Sequence, residues 1–134
     1  MDEKIRMTYL TMAFMYPMLF FVLFIATGGI MGDTVPFTLD SFMSPYAGEF
    51  AVPSIVLVLV CMLDVALFHV KLLPTFLPNP QNHLVAIVLP ETFAVFGFII
   101  GFINSNPWSA IPFFLFAFAE YVYVYTTISR MAES

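Results

Sequence analysis

Four long apolar runs, separated by polar or proline-rich segments, set the pattern of this chain. They cover roughly residues 7–30, 53–73, 83–103 and 108–129. Each run is continuous rather than alternating, and each approaches or exceeds the 20 or so residues that a helix needs to cross about 30 Å of hydrocarbon. The pattern predicts an all-α integral membrane bundle of four transmembrane helices, with residues 1–134 forming a single membrane domain.

The three connections between these runs differ in character. Residues 31–52 are long, carry no Lys or Arg and contain several large apolar side chains, so we expect an ordered loop that packs onto the membrane surface. Residues 74–82 contain three prolines and form a stiff loop. Residues 104–107 form a tight turn, which must make the third and fourth helices antiparallel neighbours.

Composition supports the membrane class and narrows the partners. Hydrophobic residues make up 61% of the chain and charged residues 10%, whereas soluble domains are about 25% charged. A water-soluble monomer is excluded on this ground, and Cys61 cannot form an internal disulfide. The net charge of −5, with four basic residues, argues against nucleic acid as a partner. The expected partners are the lipid bilayer and other membrane subunits, in a membrane that the sequence does not specify.

The basic residues predict the orientation. With four spans, Lys4, Arg6, Lys71 and Arg130 all fall on one side of the membrane. The positive-inside rule then places both termini and the 74–82 loop inside, and the 31–52 loop outside. Trp108 is expected at the outer interface.

Three acids lie within the predicted spans: Asp64, Glu91 and Glu120, one each in the second, third and fourth. Each is about eight or nine residues from the inner end of its run, a depth of roughly 12–14 Å at about 1.5 Å per residue. Charge at bilayer depth is costly and usually has a partner or a function. We therefore predict one carboxyl layer facing the bundle interior, with some of its members neutral at pH 7.

Three interpretations of this layer remain open from the sequence. The carboxyls could carry protons or a monovalent ion. They could bind a metal, with His69 and Asp64 as candidate ligands, although five residues separate these two on one helix. They could instead be structural, held neutral by hydroxyl partners such as those of Thr92, Tyr121 and Tyr123.

A stripe of small residues follows Glu91 along the third helix. Ala94, Gly97 and Gly101 recur at helical spacing and form a smooth surface that another helix can approach closely. We predict that the stripe mediates helix packing and that Glu91, at its edge, faces protein rather than lipid.

The segment around Glu91 resembles a known membrane helix. Residues 89–100, Leu-Pro-Glu-Thr-Phe-Ala-Val-Phe-Gly-Phe-Ile-Ile, are similar to the carboxylate helix of proteolipid ring subunits, the c or K subunits of rotary ATPases. In that family the glutamate binds the transported proton or sodium ion. The resemblance implies this role for Glu91, with Thr92 as an auxiliary ligand, and it covers this segment of the chain.

Other side chains give weaker signals. Tyr121 and Tyr125 share one helical face, which we interpret as an interfacial anchor. No cofactor is strongly implied, since haem would need a second axial ligand at the depth of His69, for which His83 is the candidate. A catalytic Ser-His-Asp set, a phosphate-binding loop and a zinc-protease motif are all missing from the sequence, so we expect no independent catalytic activity.

These observations predict a small multi-pass subunit of a larger membrane complex. We expect that complex to be respiratory or ion-translocating, with Glu91, Asp64 and Glu120 near a proton path. A free-standing homo-oligomeric ion channel or carrier is the alternative, and a metal- or haem-bearing subunit of a membrane oxidoreductase is the second alternative.

Overall fold

The computed structural model describes residues 3–28 and 35–133 and shows an all-α bundle. Four of its helices are long and apolar enough to cross a membrane: Glu3–Ala26, Ala51–Phe76, Pro80–Ile103 and Pro107–Met131, here termed the first to fourth spans. The predicted fold class is thus confirmed. Ile30, the predicted end of the first run, and residues 31–34 lie outside the described residues. The inside and outside assignment stays a prediction.

The spans are not equally regular. The first is one α-helix that continues through Pro17. The second contains a π-helical turn, Phe68–Leu72, between α-helices Ala51–Leu67 and Leu73–Phe76. The third and fourth are segmented, with the following pieces: 3-10 helix Pro80–Asn82 and α-helices His83–Val88 and Glu91–Ile103, then 3-10 helix Pro107–Ala110 and α-helix Ile111–Glu133.

The third span lies at the centre of the bundle. In its most apolar stretch 44% of the residues are buried, against 11% in the first span and 17% in the second. It contacts all three other spans, most extensively the fourth. The first and fourth spans run antiparallel, since Tyr9 stacks on Tyr125 while Phe24 packs against Trp108 at the opposite end.

The turn between the third and fourth spans closes in the way that the sequence predicts for antiparallel neighbours. Its Asn106 amide donates to the carbonyl of Gly101 at 2.8 Å, and Ser105 adopts a φ of 49°. A left-handed residue after a helix, with this pattern of backbone bonds, is the Schellman motif. It reverses the chain within a few residues and sets the fourth span against the third.

The described part of the first loop packs against the start of the fourth span. It contains a short α-helix, Leu39–Met43, and a 3-10 helix, Ser44–Tyr46. The Asn106 side chain donates to the Ser41 carbonyl at 2.6 Å, and the Trp108 indole donates to the Val35 carbonyl at 2.7 Å. Three large apolar side chains of this segment are exposed, as expected for a segment that rests on a membrane: Phe37, Leu39 and Met43.

The small-residue stripe lies inside the bundle. Ala94, Gly97 and Gly101 are all buried. A methyl group added at Gly97 would overlap the Cβ of Phe113 in the fourth span. One added at Gly101 would lie 2.8 Å from Leu23 of the first span. The stripe therefore lets two neighbouring helices of the same chain approach the third.

Candidate functional site: a polar layer across the four spans

Asp64 of the second span faces the third span. The hydroxyl oxygen of Thr92 lies 3.1 Å from a carboxyl oxygen of Asp64 and 2.8 Å from the carbonyl oxygen of Leu89. A hydroxyl has one proton to donate. Thr92 can donate to Leu89 and accept from a protonated Asp64, or donate to an ionised Asp64. The pair can therefore hold either protonation state of the carboxyl with a hydrogen bond in place.

Glu120 of the fourth span pairs with His69 of the second. The His69 Nε2 atom lies 2.6 Å from a carboxyl oxygen of Glu120. The His69 side chain is 37% exposed and that of Glu120 is 15% exposed, so the pair lies at the edge of the bundle. The two side chains link the second span to the fourth through one hydrogen bond.

The π-helical turn accounts for where His69 points. Pro74 has no N–H to donate to the carbonyl four residues earlier, and its ring crowds that carbonyl. The Leu73 amide bonds instead to the carbonyl of Phe68, five residues back. Asp64, in the α-helix before the turn, contacts the third span, and His69, in the first residues of the turn, contacts the fourth. Single π turns occur frequently at functional sites.

Glu91 begins a helix in the middle of the third span. The α-helix of this span ends at Val88, turns through Leu89 and Pro90, and restarts at Glu91. The Thr92 and Phe93 amides bond to carbonyls three residues earlier, which tightens the chain at the break. The sequence prediction of one continuous helix over 83–103 is corrected here, because Pro90 lacks the donor that would continue it. Interrupted helices at membrane depth occur where the chain lines a cavity or is buried in protein.

The first span contributes a side chain that the sequence analysis missed. Tyr16 is 4% exposed, and its ring lies 5.5 Å from that of Tyr121. A tyrosine in mid-span, far from either interface, was the signal available in the sequence.

Tyr121 corrects the interpretation of the fourth-span tyrosines. It is fully buried rather than interfacial, and Tyr9 stacks on it with ring centroids 4.6 Å apart. Tyr9 also stacks on Tyr125 at 3.7 Å. Tyr121 and Tyr125 do share a helical face, but this face lies against the first span.

The side chains described above form one polar layer, to which every span contributes: Tyr16, Asp64, His69, Glu91, Thr92, Glu120 and Tyr121. Two pairs of consecutive residues link the parts of the layer. Glu91 and Thr92 face different neighbours of the third span, and Glu120 and Tyr121 face different neighbours of the fourth. The three carboxyls thus lie at comparable depth but on different faces of the bundle. Asp64 contacts Thr92, and Glu120 contacts His69.

Metal and haem ligation find little support in this geometry. Within residues 3–28 and 35–133, no group of three or more His, Cys, Asp or Glu side chains is arranged to hold a metal ion. His69 is paired with Glu120 and not with Asp64. The Nε2 atom of His83 lies 2.7 Å from the carbonyl oxygen of Leu77, in the 74–82 loop, so it is not directed at His69.

An apolar groove lies beside the His69–Glu120 pair. It has a volume of about 420 Å³ and lies between the second and fourth spans. Its lining residues are Val58, Cys61, Met62, Val65, Pro112, Phe113 and Phe116. The second span is therefore separated from the fourth along this face.

Comparisons with protein-family models, with characterised proteins and with solved structures give no match to this chain.

Proposed function

We propose that the chain is a small multi-pass subunit of a larger proton- or cation-translocating membrane complex, and that its polar layer forms part of the path. Glu91 is the carrier group in this proposal. Asp64 with Thr92, and Glu120 with His69, are titratable pairs beside it.

The observation that carries the proposal is the break in the third span directly before Glu91. A helix break at membrane depth is tolerated where the chain is buried in protein or lines a cavity, and discontinuous helices form the ion sites of many transporters. Here the break places a carboxyl in the central helix, at the depth where the other three spans also supply polar groups.

The exposed edge of the layer supports a place in a complex. His69 is 37% exposed, and Asp64 contacts an exposed Thr92, so polar groups reach the outer surface of the bundle near mid-membrane. Polar groups at that depth are several kcal/mol less stable in lipid than against protein, on the order of 2–4 kcal/mol on insertion scales. A neighbouring subunit would remove this cost, and it would also extend the path beyond the chain.

Replacing Glu91 tests the proposal. The Glu91→Gln substitution keeps size and hydrogen bonding but removes the titratable proton, so assembly should persist while transport is lost. Tagged protein from native membranes, extracted in mild detergent and reconstituted into vesicles with a pH-sensitive dye, gives the measurement. Glu49→Gln, an exposed acid of the first loop, is the matched control and should transport normally. Normal transport by Glu91→Gln would rule out Glu91 as the carrier.

A homo-oligomeric channel or carrier is the second candidate, because a second copy of the chain could also cover the exposed edge at His69. Native mass spectrometry of the mild-detergent extract separates the two. A complex containing other chains supports the subunit proposal. Multiples of the 15.1 kDa chain mass without other subunits would favour the channel.

A further inference from the structure

Two buried phenols between the first and fourth spans have no hydrogen-bond partner among the described residues. The hydroxyls of Tyr16 and Tyr121 are inaccessible to solvent, and the two residues are 4% and 0% exposed. A hydroxyl without a partner in an apolar surrounding destabilises the folded state, and most of all in hydrocarbon. Two such groups in neighbouring rings, 5.5 Å apart, would double that destabilisation.

The surroundings explain why the protein itself does not satisfy them. The Tyr16 ring is enclosed by Phe118 and Tyr121, and Tyr121 is covered by Tyr9. Rings present carbon faces rather than acceptors. Neither hydroxyl has a hydrogen-bond partner among the described residues.

We infer that a buried water molecule is bound between Tyr16 and Tyr121 and forms a hydrogen bond with each phenol. Water is small enough for a packed interface, and it can donate two hydrogen bonds and accept two, so one molecule can pair with both hydroxyls. Buried waters in proteins typically make about three hydrogen bonds to groups that would otherwise lack partners.

The bound water would connect the first span to the fourth by hydrogen bonds. Phenols and water both donate and accept, so a proton can pass along such a chain without a charged side chain in the interface. That a proton moves through this water rests on the proposed function, whereas binding of the water does not.

Water-edited solid-state NMR on protein with ¹³C-labelled tyrosine in lipid tests binding directly. We expect early magnetisation transfer from water to the phenols of Tyr16 and Tyr121, assigned by its loss in Tyr16→Phe and Tyr121→Phe. Transfer to neither phenol, or to one of them alone, would overturn the shared site.

The melting temperature gives a second readout with an opposite sign for the two cases. If the water is bound, each Tyr→Phe change removes one of its hydrogen-bond partners, and the melting temperature should fall by about 2–6 °C. If the hydroxyls are unpaired, removing one should raise it, which would contradict the inference. Tyr123→Phe, at a side chain that is 53% exposed, is the matched control. Neither readout depends on transport. A negative result here would therefore contradict the water site without bearing on the transport test of Glu91→Gln.

Discussion

At the scale of single residues, Gly97 leaves the least space for an added side chain among Gly48, Gly97 and Gly101. Its missing side chain allows the fourth span to place Phe113 directly against the third-span backbone. Two effects of a Gly97→Ala change oppose each other. Alanine favours a helix by up to about 1 kcal/mol over glycine, while an overpacked core costs about 1–3 kcal/mol. The contact to Phe113 is with the first side-chain carbons, which cannot move without the helix, so the steric term wins.

We therefore predict that Gly97→Ala lowers the free energy of unfolding by about 1–2 kcal/mol, measured by denaturation in detergent. Gly48→Ala is the control, since a methyl group there would lie 3.4 Å from the Ser44 carbonyl oxygen, an ordinary contact. A Gly97→Ala protein as stable as Gly48→Ala would show that the third and fourth spans are less tightly packed than described.

At the scale of elements, the proline-induced departures from α-helix decide where the polar side chains point. The hydrophobic runs predict four spans, because a helix that crosses about 30 Å of hydrocarbon must be long and apolar. The pairing of His69 with Glu120 could not be predicted in this way. Five α-helical residues separate Asp64 from His69 by roughly 140° at about 3.6 residues per turn. The π-helical turn Phe68–Leu72, which contains His69, is an irregularity that a hydropathy pattern does not show.

The sequence predicts the depth of the three carboxyls in the membrane, but it does not predict which residues they contact. Depth follows from residue counts along regular helices, and the contacts of Asp64 with Thr92 and of Glu120 with His69 agree with it. Which face each carboxyl occupies depends on helix rotation, and rotation changes at the Pro74 and Pro90 irregularities. Tyr16 escaped prediction because a phenol counts as apolar in a hydropathy pattern.

The π-helical turn gives an element-scale prediction. Pro74→Ala restores a backbone donor and removes the ring, so the turn should relax to α-helix and rotate His69 away from Glu120. A double-mutant cycle of His69→Phe and Glu120→Gln should give a coupling of about 0.5–1 kcal/mol in the natural sequence. In the Pro74→Ala background the coupling should fall near zero.

Pro78→Ala, in the loop after the second span, is the control and should leave the coupling intact. Retention of full coupling in Pro74→Ala would mean that the proline does not determine the π-helical turn.

At the scale of the whole molecule, the bundle is asymmetric in both charge and packing. The basic residues lie toward the end of the bundle that holds both termini and the turn after Phe76, whereas the described acids of the first loop, Asp40 and Glu49, lie at the other end. The loop at this other end is held by Asn106 and Trp108, which fixes it over the third and fourth spans. A subunit with this shape would present its ordered loop on one side of the membrane and its polar layer to a neighbour within it.

The orientation of this asymmetric bundle is the last prediction. The positive-inside rule places the 74–82 loop inside and the first loop outside. In a Cys61→Ser background, a Glu49→Cys variant in intact cells should react with a membrane-impermeant maleimide, and a Gln81→Cys variant should react only after the membrane is permeabilised. Both positions are exposed, whereas Ser41 of the first loop is 7% exposed and would label poorly in either orientation. Unmodified Cys61, which is 5% exposed, should remain unlabelled on both sides.

Labelling of Gln81→Cys before permeabilisation, with Glu49→Cys protected, would invert the orientation and place the polar layer in the outer half of the bilayer.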